Sequence, residues 1–418
     1  MKKLFILEFK KIAKKRMNIV VVAVCLLLIV FLFTLPVKQY IVLDTNGNQM
    51  TGKRAIEQER EYENIYAGIL TDEKIAEDIA AYQELFNNPA NLSLDSDTKA
   101  LNKDAYYRYF FPYLDYWTLI NGNYTAPYTY DTSYSAVTNM DIDSRMDFYS
   151  SRDEKVDRIL NQSYLDWNFS ENEKAFWRER ISSIEIPYEY SYHQGWEMLS
   201  SCMELFVVGI IGICICVSGV FSGEYQSGAD SIILSSRYGK SKLFTAKILA
   251  AFAFSGLVFT LFIVVGCGIQ LAAFGFDGWN LPVQVLNSIT PYTITLSGAV
   301  LTVILTQYLV LLGMVSFTLF LSARIKSSIP VLVAVFFIMM LPVFVGISET
   351  NGIWNRILVL LPYRAAQQVF SDDFYAYFGY PISGLTFDVV TIRIIAYAVI
   401  TFVCLPFARR KWKRHQVG

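Results

Sequence analysis

"NIVVVAVCLLLIVFLFTLP", residues 18–36, carries no charged side chain along its whole length. A helix needs about 20 apolar residues to cross the hydrocarbon core of a bilayer, so this block reads as a membrane span, residues 18–37. Ahead of it runs "MKKLFILEFKKIAKKR", with seven Lys or Arg. A basic start before an apolar core also marks a cleaved signal peptide. Here the core exceeds the usual signal-peptide length of about 7–15 residues and no small-x-small site follows, which favours an uncleaved anchor. Within residues 1–17, Leu4, Phe5, Leu7, Phe9 and Ile12 form an apolar face among lysines, predicting an amphipathic helix on the membrane surface.

Working outward, five more apolar blocks occur at about 198–221, 247–274, 293–322, 329–347 and 389–407. The chain is 54% hydrophobic and only 17% charged, below the roughly 25% charge of soluble domains. The fold class expected is therefore an α-helical polytopic membrane protein with six transmembrane helices. Between spans one and two lies a polar stretch, 38–197, with 28 acidic and 15 basic residues and 18 of the 27 tyrosines. It is long and aromatic enough to build its own core, mainly α or α+β. "TDEKIAEDIAAYQELFNN" (71–88) shows helical spacing with a Thr cap and an acidic first turn.

Lys and Arg concentrate on the cytoplasmic side of membrane proteins. With both termini inside, the inner segments carry eighteen Lys or Arg, against two in the short outer loops. That assigns the insert to the extracytoplasmic side, and the basic tail 408–418 to the cytoplasm. The six cysteines all lie within or beside apolar blocks, so the insert must be stable without disulfides.

The longest inner loop, 222–246, contains "SSRYGKSK" (235–242). Gly239-Lys240-Ser241 has the tail of a phosphate-binding loop. Leu234, however, stands where that loop needs a glycine whose bare backbone could wrap phosphates. From Glu224-Tyr225 through Leu234 the chain is suited to one short helix across the inner surface, with Gly228 allowing close approach by another backbone.

The larger stretch "FSGEYQSGADSIILSSRYGKSKLFTAKILAA" (221–251) resembles the corresponding loop of ABC-2 type transporter permease subunits. The resemblance rests on Glu224, Ser227-Gly228, Ile232-Ile233-Leu234 with Ser235, Lys240 and Lys247. Ala229 and Arg237 stand where the family has Thr and often Pro. The likeness covers residues 198 to the end well, 1–36 loosely and the insert not at all. It implies a coupling helix, with Tyr225 among its residues, docked on a separate cytoplasmic ABC ATP-binding subunit. That subunit would hold ATP and Mg while this chain binds no cofactor. It further implies a second permease copy or a similar permease, export as the direction, and a bacterial cell membrane. In the outer loop 348–388, "NRILVLLPYRAAQQVF" (355–370) is apolar but broken by Pro362. It resembles the family's re-entrant outer gate, with Leu361, Pro362, Tyr363 and Arg364 at the break.

Inside span four, Thr302, Thr306, Gln307 and Ser316 can line a pathway or pack against a neighbouring helix. Glu204, Arg324 and Arg393 lie near span ends, where long side chains snorkel. Two histidines, His193 and His415, leave no catalytic or metal cluster to assign, and no basic stripe suggests nucleic acid. The expectation is a non-catalytic permease whose cargo is a peptide or other amphipathic compound. The net −13 of the insert would attract cationic molecules. The rival from another class is a membrane-anchored extracytoplasmic sensor or receptor for a cationic ligand.

Overall fold

A computed structural model describes residues 1–93, 100–129, 131, 134–141, 147–162, 167–346, 352–371 and 376–415. The end of the expected fifth span (347), the start of the loop after it (348–351) and the last tail residues (416–418) lie outside them. The chain is mainly helical. Its principal helices are α1 (Lys2–Ala13), α2 (Arg16–Gln39), α3 (Gln194–Gln226), α4 (Ala229–Ser235), α5 (Lys242–Phe274), α6 (Leu296–Ser322), α7 (Ser328–Phe344) and α8 (Val389–Arg414). Five of them, α2, α3, α5, α6 and α8, are long and apolar enough to cross a membrane. The sixth expected span corresponds to α7, whose 17 residues reach roughly 25 Å, short of the ~30 Å core.

Burial ranks the helices. In α3, 72% of the apolar window is buried, against 17% in α2 and 22% in α8, so α3 is the axis of the bundle and the other two form its rim. Apolar side chains stand exposed along the rim, among them Leu27 and Phe31 of α2 and Phe402 of α8, as expected of surfaces solvated by lipid. Three helices outrun their apolar blocks. α3 begins four residues before 198 and ends at Gln226, α5 starts at Lys242, and α8 carries on through the basic tail to Arg414.

The insert is built from helices and short hairpins. Asp72–Glu84 is the helix expected from its spacing, with Thr71 Oγ1 accepting from the Lys74 N–H at 3.2 Å. β1 (Ile41–Leu43) pairs with β2 (Gln49–Thr51), and β3 (Gly68–Leu70) with β4 (Tyr188–Tyr190), both antiparallel. The second pair ties the start of the insert to its end, 68 opposite 190. The tyrosines are its mortar. Tyr66 stacks on Tyr116 with centroids 4.2 Å apart, and Tyr82 lies 4.7 Å from Trp117. Their hydroxyls bond inward, Tyr116 to Asp78 at 2.6 Å and Tyr149 to the Leu70 carbonyl at 2.6 Å. Tyr82, Tyr116 and Tyr149 are buried and form part of the insert's core.

The insert also rests on the segments that follow α5 and precede α8. Tyr188 donates to the Ser288 carbonyl at 3.1 Å, and Arg180 pairs with Asp388 at 2.9 Å, on the last strand of the β5–β6 hairpin (Gly379–Ile382, Leu385–Asp388).

Candidate functional site

At the end of the bundle away from the insert, four charges meet across three helices. Lys247, from the second turn of α5, is 1% exposed and reaches Glu224 of α3 at 2.7 Å and Glu8 of α1 at 2.8 Å. Lys11 reaches the same Glu224 oxygen at 2.7 Å. Burial alone would lower the pKa of Lys11, but the hydrogen bond and charge of Glu224, with Glu8 behind, raise it above its ordinary value. Because Glu8 and Ile12 are the buried positions of α1, that helix packs onto α5 as well as bearing lysines outward. Phe9 adds an edge contact to Phe254 at 6.4 Å. Glu224 and Lys247, read from sequence as docking residues, are thus inside the protein, neutralising one another.

The loop after α3 is two pieces rather than one helix. Gly228 adopts φ 66°, a left-handed conformation that closes α3 before α4 begins. Glu224 and Tyr225 therefore belong to α3, while Ile232, Ile233 and Leu234 belong to α4. A Cβ on Gly228 would meet nothing within 4 Å, so the glycine serves the turn and not a close approach. The close approach is at Gly239, where a Cβ would fall 1.7 Å from the Ile233 carbonyl oxygen. Ser227 bonds back to the Gly223 carbonyl at 2.9 Å. Leu234 is buried, Ile233 half-buried, and Ile232 stands 75% exposed, with Ser235, Arg237 and Lys240 exposed beside it.

The tail of α8 holds this loop. Trp412 is fully buried, its ring 5.0 Å from Phe221 and 5.7 Å from Tyr225, and its indole N–H donates to the Gly239 carbonyl at 3.0 Å. His415 stacks on Tyr225 at 4.2 Å and its Nε2 lies 2.9 Å from Asp230 of α4. Sequence reasoning missed Glu8, Lys11, Asp230, Trp412 and His415 as parts of this assembly, and noted Gly239 only as the tail of a phosphate-binding loop. A tryptophan set among five Lys or Arg in the tail was the available signal.

At the opposite end, Gly352–Leu358 and the short turn Pro362–Ala365 are separate, with Leu361 the N-cap and Pro362 opening the turn. The carbonyls freed by that break are claimed by neighbours. Arg393 of α8 is buried and donates to the carbonyls of Gln367 and Arg364, both at 2.9 Å, and Val359 at 3.3 Å. This corrects the snorkelling expected of it: a planar fork with five donors matches a cluster of stranded carbonyls better than solvent. Gln307 of α6 bridges the Ala366 carbonyl at 2.9 Å and that of Met203 at 2.8 Å, and Tyr397 donates to Leu360 at 2.9 Å. Arg364 reaches Gln367 Oε1 at 3.0 Å, and the Gln367 amide donates to Glu204; Tyr363 packs on the core. Thr302, Thr306 and Ser316 each bond a carbonyl four residues back in their own helix.

Comparison with protein-family models matches residues 3–412 to the family described as ABC-2 family transporter protein. No curated protein and no solved structure matches the chain.

Proposed function

The chain belongs to the ABC-2 family of transporter proteins, a multi-pass membrane permease of the kind that associates with an ABC ATP-binding subunit, and from that premise we propose that it is one half of an ATP-driven exporter. In this reading α7 completes six spans, both termini are cytoplasmic and the insert faces outward in a bacterial cell membrane; the eighteen-to-two distribution of Lys and Arg supports that orientation. A second copy or a similar permease completes the pathway. Cargo of peptide or other amphipathic character fits the acidic insert.

The observation that carries the reading is the exposed apolar turn of α4. Ile232 projects at 75% exposure from a loop otherwise fastened to the bundle by Trp412 and by the Glu8–Lys247–Glu224 cluster. The roles then divide. Ser227, Gly228, Ile232, Ile233 and Lys240 form the surface that a cytoplasmic ATP-binding subunit grips. Glu224, Tyr225, Leu234 and Lys247 relay a push on that surface to the feet of α1, α3 and α5. ATP and Mg stay with the partner. At the other end, Leu361, Pro362, Tyr363 and Arg364 act as the outer gate, held by Arg393 and Gln307, while Thr302, Thr306 and Ser316 line the α6 face toward the pathway.

The test is capture of the tagged full-length protein from native membranes in mild detergent, in parallel with Ile232→Asp. Because Ile232 is exposed, the substitution should leave folding within about 0.5 kcal/mol. An ABC ATP-binding subunit recovered with the parent and lost from the variant supports the reading. Recovery of none, under conditions that preserve a known permease complex, would move the sensor alternative ahead.

A further inference from the structure

Carboxylates converge where the insert rests on the start of α3. Glu59 and Glu63 lie one turn apart at the end of the Lys53–Glu63 helix, so they share a face. That is a costly place for them, because like charges four residues apart repel and the helix C-terminus disfavours negative charge. Asp115, from the first turn of Leu114–Tyr124, brings a third carboxylate, and one oxygen from each of the three lies within 4.8 Å of the others. Glu197 of α3 adds its charge to Glu59 and Asp115. The basic group facing them is His193, with Nδ1 3.3 Å from Glu63 and Nε2 3.8 Å from Glu197. Arg60, beside Glu59 in sequence, turns away to the Phe274 carbonyl and Asp277, both at 3.0 Å.

Buried polar atoms without partners among the described residues lie near the same carboxylates. Glu63 is 3% exposed; its Oε2 accepts from the His193 backbone N–H, but Oε1 has no partner among the described residues. Tyr190 of β4 is 1% exposed and its hydroxyl is likewise unpartnered, although the charges bearing on it are those of Glu63, Asp115, Glu197 and Glu59. Gln194 gives its amide N–H to the Tyr40 hydroxyl, itself among these carboxylates, and leaves its own buried carbonyl oxygen without a donor. Buried polar atoms are normally satisfied. The Glu63 and Gln194 oxygens can only accept, so neither can satisfy the other, and Tyr190 has a single proton to offer. One imidazole stands against four carboxylates, so the cluster is short of positive charge.

We propose that Glu59, Glu63 and Asp115 are the core of a binding site for a hard divalent cation of the size of Ca²⁺, with Glu197, the Tyr190 hydroxyl and the Gln194 carbonyl around it. Ca²⁺ takes oxygen ligands at about 2.3–2.6 Å, so two oxygens on opposite sides of the ion lie up to roughly 5 Å apart. The 4.8 Å limit on this cluster fits that span. Mg²⁺, with oxygens at about 2.0–2.1 Å in strict octahedral geometry, usually keeps several of its waters and is a poorer match to a site whose ligands all come from the protein. The ligands come from two helices of the insert and from the first turn of α3, so a bound ion would fasten the insert to the axis of the bundle.

The full-length protein in detergent, stripped with EDTA and titrated with Ca²⁺ alone, tests the site through its melting temperature and intrinsic tyrosine and tryptophan fluorescence. Saturable Ca²⁺ binding and a raised Tm are expected, with Mg²⁺ at equal concentration giving a markedly smaller response. Asp115→Asn and Glu59→Gln should each weaken the apparent Ca²⁺ affinity by roughly tenfold or more. Glu57→Gln, exposed on the same helix, should leave it unchanged. Since Glu63 also pairs with His193, Glu63→Gln is read only beside those two. A parent protein that ignores Ca²⁺, a response that Mg²⁺ reproduces in full, or one that survives both Asp115→Asn and Glu59→Gln overturns the proposal.

Discussion

Lys247 is the residue on which the foot of the bundle depends, and its environment ranks two substitutions that look alike on paper. It is 1% exposed between two carboxylates, whereas Lys11, touching the same Glu224, has a side chain 57% exposed. Removing the cation of a buried pair strands its partners and costs about 3–5 kcal/mol, while a solvent-screened pair contributes only about 0–1 kcal/mol. Lys247→Met should therefore destabilise the protein severely and Lys11→Met barely. Melting temperatures of the two variants in one detergent check this, and equal losses would mean the charges are not arranged as described. Lys247 was legible in the sequence as a notable lysine, but its partner Glu8 was not.

At the scale of elements, the tail of α8 and the loop between α3 and α5 act as one unit. Trp412→Ala deletes a fully buried indole and the donor to the Gly239 carbonyl, at a cost of about 3–5 kcal/mol. The consequence expected is local: trypsin should cut at Arg237 and Lys240 faster in the variant than in the parent, and unchanged cleavage would show that the tail does not hold the loop. At the other end, Arg393→Ala leaves the carbonyls of Val359, Arg364 and Gln367 without their buried donor, each costing about 1–3 kcal/mol. A cysteine placed at Ala366, buried in the parent, should then react with maleimide several-fold faster. The sequence signalled both segments, through Gly-Lys-Ser and through Pro362, but mistook what surrounds them. A loop pattern identifies where regular helix ends; it does not say which distant side chain claims the stranded backbone.

For the whole molecule, the decisive question is on which side the insert lies. The insert contains no cysteine, so single sites can be read without interference once Cys267 and Cys404 are replaced by serine. If the insert faces outward, Asn46→Cys should be labelled by an impermeant maleimide in intact cells, and Ser236→Cys only after permeabilisation; both positions are exposed. The reverse pattern would invert the topology and remove the basis for export. The tyrosine-rich character of the insert was visible from composition, but its meaning was not, because the same residues can make a core or a binding face. Tyr188, buried and bonded to the Ser288 carbonyl, is core between the insert and the segment that follows α5.

What the sequence determined by itself is local in its physics. The amphipathic spacing of α1 and the Thr71 cap act over a few turns of helix and the bilayer-spanning apolar runs over about five or six, and each can be read where it stands, whereas Gly228 reads as a close approach and in the fold serves a turn. Only the tertiary structure decided which charges and which stranded carbonyls meet. Lys247 and Glu8 are 239 positions apart, Trp412 and Gly239 173, and Glu63 and His193 130. Partners at such separations are chosen by how the helices pack, since a buried charge or donor accepts whichever complementary group the fold brings within reach.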